Sequence, residues 1–136
     1  MKDRNMETLP KNLVNDIDGM ATYDYIVNNE ETIEEMMDIL VENLRKVDMS
    51  GQFLASSARF LHAVDAERFH AWIPQLVEGA IEKDKERKYI GSLLEALWGQ
   101  DYAERAGELQ RSDDNFRKIY KRLYPADALG SSGLLI

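Results

Sequence analysis

The 136-residue chain contains no cysteine, which excludes a disulfide framework, a thiolate nucleophile and a cysteine-ligated zinc site. Histidine is scarce, with only His62 and His70 to supply imidazole chemistry. No apolar run approaches the ~18 residues needed to cross a bilayer. The opening stretch, Met1 to Lys11, lacks the apolar centre of an export signal, so a cytoplasmic location is expected. Sustained apolar/polar alternation bounded by turns is missing, and no strand is predicted. There is no phosphate-cradling glycine loop. A basic excess is missing too: the net charge is −8 and the pI near 4.8, which argues against duplex nucleic acid and anionic membrane surfaces.

What is present is helical periodicity in a chain the size of one domain. The acids concentrate early: residues 1–49 hold 12 Asp/Glu against 5 Lys/Arg, and the remainder is nearly balanced. Thr8-Leu9-Pro10 reads as a helix start with Leu9, Leu13 and Ile17 at helical spacing, and Thr22 is placed to cap a short helix carrying Tyr23, Ile26 and Val27. The clearest stripe runs through Ile33, Met36, Met37, Leu40, Val41, Leu44 and Val47. Ser50 is expected to cap a helix with Phe53, Phe60, Leu61 and Val64 inward. Asp65 would cap one carrying Phe69, Trp72, Ile73, Leu76 and Val77, with a kink or break near Ile73 forced by Pro74. Asp84 precedes a stripe at Tyr89, Ile90, Leu93, Leu94, Leu97 and Trp98, which Gly99 would end in the left-handed conformation. A weaker helix is read over 101–110, and a last one, capped by Ser112, runs to Pro125. These elements form one all-helical domain over 1–125, with 126–136 as a flexible tail.

An offset of 36 superposes the two best helix pairs: Leu40-Val41-Glu42 falls on Leu76-Val77-Glu78, Asp48 on Asp84, Phe53-Leu54 on Tyr89-Ile90, and Leu61 on Leu97. Such a period marks stacked helical hairpins. Ile73-Pro74-Gln75-Leu76-Val77, Asp84, Arg87 and Ala96-Leu97 resemble a HEAT-type repeat over about 28 residues, and more loosely over about 70. Bulky Tyr89 and Ile90 depart from that pattern, as does the missing Asp-Pro turn. The resemblance implies a short right-handed stack of antiparallel hairpins, an α-α superhelix that binds rather than catalyses. The alternative is an irregular helical bundle.

Candidate chemistry is sparse. Glu67 and His70 form a single Glu-x-x-His, whereas di-iron bundles carry it twice with further glutamates. Gly130-Ser131-Ser132-Gly133 lacks the preceding strand of a nucleophile elbow and reads as a tether. No catalytic, cofactor or metal-binding residue is assigned. The residues for a protein partner are the acidic stripe Glu31, Glu34, Glu35, Asp38 and Glu42, the aromatics Trp72, Trp98 and Tyr102, and the terminal Leu134, Leu135 and Ile136. Those last three would fray, fold back on a groove or insert into another chain, and the third choice gives a homo-oligomer. The expected function is a non-enzymatic interaction scaffold. The alternative is an acidic inhibitor or immunity-type protein that binds a basic target, and a small metal-binding or catalytic helical protein comes third.

Overall fold

A computed structural model describes residues 8–127. The described residues are all-helical, with seven α-helices and no strand: α1 (Met20–Asn28), α2 (Met37–Val47), α3 (Gln52–Asp65), α4 (Ile73–Lys83), α5 (Ser92–Trp98), α6 (Ala106–Ser112) and α7 (Asp114–Leu123). Short 3-10 turns lie at Lys11–Leu13, Glu34–Met36 and Pro125–Asp127. No described helix is long and apolar enough to cross a membrane.

The helices pack in two rows. In one row α1 packs on α3 and α3 on α5; in the other α2 packs on α4 and α4 on α7. The chain alternates between rows, so α2–α3 and α4–α5 are successive hairpins, and α6 is an extra element packed on α7. Leu40, Leu44, Leu54, Leu61, Leu76, Ile90, Phe69 and Phe116 are fully buried between the rows. Each such side chain contributes about 1.5–3 kcal/mol before the entropy of ordering it. Gly79 keeps the second row tight: a Cβ there would meet Arg45 Cγ at 3.1 Å and Leu54 Cδ1 at 3.2 Å.

The offset of 36 places equivalent residues in equivalent surroundings. Leu40 and Leu76, Val41 and Val77, Leu54 and Ile90, and Asp48 and Asp84 are buried, while Phe53 and Tyr89 are both half-buried. Leu61 is buried but its counterpart Leu97 only half-buried, because α5 stops at Trp98.

Several local expectations are corrected. Ile17 is 85% exposed and Val64 40%, so neither belongs to the core. Residues 66–72 form turns, and α4 starts at Ile73 with Pro74 in its first turn, where a missing N–H leaves no helical bond unmade. Of the kink or break expected near Ile73, the structure has the break, and the proline sits at the start of α4. The stripe from Ile33 begins as a 3-10 turn before α2, and the helix expected over 101–110 is displaced to Ala106–Ser112. Gly99 has positive φ, 98°, but its ψ of 160° is extended rather than left-handed helical. The caps at Thr22, Ser50 and Ser112 are also displaced: aspartates perform that work, and Thr22 lies buried inside α1.

Candidate interaction surfaces

Three aspartates build the same turn. Asp48, 1% exposed, closes α2 and accepts amide hydrogen bonds from Ser50, Gly51, Phe53 and Leu54 at 3.1, 2.9, 2.9 and 2.8 Å. Asp84, 2% exposed, closes α4 and accepts from Lys88, Tyr89 and Ile90 at 2.9, 2.6 and 2.9 Å. Asp16 accepts from the amides of Asp18, Gly19 and Thr22, and from the Thr22 hydroxyl at 2.6 Å. Burial pushes the Asp16 carboxyl up, but those hydrogen bonds outweigh it and hold the group below its ordinary range. In every turn the residue three after the aspartate has positive φ: Gly19 at 101°, Gly51 at 87° and Arg87 at 59°. One carboxylate thereby satisfies the amides that open the next helix, and the left-handed residue reverses the chain.

The turns stack directly. A Cβ on Gly19 would lie 3.2 Å from Asp48 Cβ, and one on Gly51 would lie 3.1 Å from Asp84 Cβ. At the second and third turns a cation from the helix that follows in the same row bonds the chain. Lys83 Nζ donates to the Arg45 and Asp48 carbonyls, and Arg122 Nη1 donates to those of Ile81 and Asp84. The acceptor pairs are 36 residues apart. These donors meet the carbonyls left over at each helix C-terminus, where the helix dipole also favours positive charge. The three turns thus form a ladder along one edge.

The opposite edge holds most of the residues expected to bind. The acidic stripe divides there. Glu34 Oε2 accepts from Arg68 Nε at 2.6 Å, and this bond holds the Glu34 carboxyl below its ordinary range. Asp38 Oδ1 accepts from the Trp72 indole N–H at 2.8 Å. Glu31, Glu35 and Glu42 are exposed. Trp98 repeats the tryptophan–aspartate device, donating to Asp113 Oδ2 at 2.9 Å. It is half-buried, packs edge-on against Phe116 with centroids 5.2 Å apart, and helps line a cleft of about 200 Å³ with His62, Pro74 and Leu97. Tyr102 also packs on Phe116, and a hydrogen bond with Tyr124, reinforced by burial, pushes its hydroxyl up to about 12. Leu134, Leu135 and Ile136 lie outside the described residues. His70 is exposed, with Nδ1 2.8 Å from the Glu67 carbonyl, and no group of three metal-ligating side chains forms among the described residues.

The cations clustered at 83–88 and 117–122 are also divided. Lys83 and Arg122 close the joints, Lys88 pairs with Glu86 at 3.2 Å, and Arg117 and Lys118 both pair with Asp114. Lys85 is exposed and has no partner among the described residues. Sequence reasoning did not single out the ladder edge. Its signal was the recurrence of Asp16-x-x-Gly19 as Asp48-x-x-Gly51.

The architecture defines an all-helical protein of stacked hairpins. Nothing matches this chain among protein-family models, curated proteins or solved structures.

Proposed function

We propose that this chain is a protein-interaction module, a short HEAT-like stack whose exposed sides bind another protein. The observation that carries this reading is the ladder: three turns built alike stack along one edge, and equivalent cations bond the second and third of them. Solenoids of this kind bind along extended surfaces formed by corresponding positions of successive repeats.

The acidic-inhibitor reading draws less support, because Glu34 and Asp38 are engaged with Arg68 and Trp72 inside the molecule. Glu31, Glu35 and Glu42 remain as its basis. Salt separates the two readings. Binding through the acidic stripe weakens steeply between low and physiological ionic strength, and binding through a largely apolar surface changes little.

The test is affinity capture from the native source with the full chain, followed by hydrogen-exchange footprinting of the purified complex. A stoichiometric partner whose footprint spans two or more hairpins is expected. A chain that captures no partner, or turns over a small molecule at a defined site, would refute the reading.

A further inference from the structure

The ladder edge has a composition that its structural duties do not explain. Six large apolar residues are exposed among those described, and four of them, Val14, Ile17, Met20 and Met49, lie in or beside its first two turns. Ile17 and Met49, 85% and 71% exposed, occupy the same rung position, immediately after the capping aspartate. The third turn carries Lys85 at that position, followed by exposed Arg87 and Lys88. Between the second and third turns lies a cleft of about 330 Å³, lined by Met49, Ser50, Tyr89, the cations Lys83, Lys85 and Lys88, and the acids Asp84 and Glu86. The edge therefore runs from apolar to basic across an indentation. Asp18 and Glu86 are its exposed acids: Asp18 is turned back on the Met20 amide and Glu86 is paired with Lys88.

We propose that this edge is a docking groove for an extended acidic peptide segment of a partner protein, with two large apolar side chains seated on the first two rungs and a carboxylate on the third. This rests on the interaction-module reading and names the surface and the partner's chemistry. Neighbouring helices pack roughly 8–10 Å apart, so successive rungs are separated by about that distance. An extended segment in the polyproline II conformation advances about 3.1 Å per residue with about three residues per turn, so every third residue returns to the same face roughly 9 Å further on and meets a rung. The segment has apolar residues three apart, then an acidic residue three further on. Exposed apolar area supplies affinity, and the Lys85–Lys88 end fixes polarity by meeting the carboxylate.

The probe is a fluorescein-labelled peptide with two leucines three residues apart, a glutamate three further on, and serine and threonine elsewhere. Fluorescence anisotropy with the full chain is expected to show saturable binding. Met49→Ser and Lys85→Glu, both at exposed positions, should each weaken binding about tenfold with circular dichroism unchanged. Shifting the second leucine by one residue should weaken it similarly. An absence of binding, or equal affinity for both variants and the shifted peptide, overturns the proposal. Binding of phosphatidylserine vesicles in place of the peptide overturns it in favour of a membrane surface. Self-association abolished by Met49→Ser overturns it in favour of a second copy. A captured partner whose footprint avoids residues 16–20, 48–52 and 84–89 also overturns this groove while leaving the interaction module standing.

Discussion

Replacing Asp48 by alanine removes the acceptor for four backbone amides. The amides of Gly51 and Leu54 are buried, and those of Ser50 and Phe53 are part-buried and open to replacement by water. A buried donor left without a partner costs about 1–3 kcal/mol, so two of them, less some relaxation, predict a loss of about 2–5 kcal/mol. For a protein of this length each kcal/mol moves the melting temperature by about 3–5 °C, so Asp48→Ala should melt roughly 6–25 °C lower. Asparagine, which keeps one acceptor oxygen but turns an NH2 toward other donors, should fall between alanine and wild type. The assay is urea unfolding followed by far-ultraviolet circular dichroism, with Glu35→Ala as an exposed control expected to match wild type. A loss below about 1 kcal/mol for Asp48→Ala at an unchanged denaturant slope would refute the reasoning, because the turn would then hold together without its carboxylate.

The left-handed position predicts opposite signs at two sites. Gly51→Ala should destabilise by about 1–2 kcal/mol or more, since its φ is 87° and its Cβ would meet the Ala80 carbonyl oxygen at 3.0 Å. Arg87→Gly should be neutral or stabilise by up to about 1 kcal/mol, because φ of 59° is strained for arginine and its bond to the Arg122 carbonyl is long, 3.4 Å. Thermal unfolding of both variants checks the pair. Tyr102 predicts a loss of stability at high pH. Its proton is held more tightly in the folded state, so its contribution is complete below the free tyrosine value of 10.0 and is lost as pH rises toward about 12. Melts between those limits should show a smaller slope in Tyr102→Phe. Asp16 acts in the opposite direction: its lowered carboxyl stabilises the fold above the ordinary aspartate value of 3.8 and loses that contribution as pH falls below it. Acid titration of Asp16→Asn should therefore show a shallower decline.

The helical stripes were legible because burial selects apolar residues at helical spacing. Ile33, Met37, Leu40, Val41 and Leu44, and Ile73, Leu76 and Val77, fall where the period put them. The 36-residue offset was legible for the same reason, since Leu40 and Leu76 fill corresponding positions between the same two rows. The caps were not, because periodicity sees only apolar residues and N-cap preference looks one residue ahead of a helix. Asp48 acts over six residues, through an intervening glycine, so Ser50 occupied the place where a cap is ordinarily sought. The first turn escaped because Asp16 and Asp48 are 32 apart rather than 36, which a fixed offset does not superpose. The acidic stripe was read as residues for a protein partner, but Arg68 and the Trp72 indole approach Glu34 and Asp38 from the turns before α4. The exposed Met49 gave no periodic signal, since it stands alone in a turn, and Ile17 gave a misleading one, since it falls at helical spacing from Leu9 and Leu13 yet lies in a turn.

The central claim is that the three aspartate turns stack on one another as equivalent rungs, and proton nuclear Overhauser spectroscopy tests it most directly. Close approach of Gly19 to Asp48 and of Gly51 to Asp84 predicts cross-peaks between the glycine Hα and aspartate Hβ protons at both joints. Cross-peaks missing at either joint, in a protein whose helices are intact, would contradict the account.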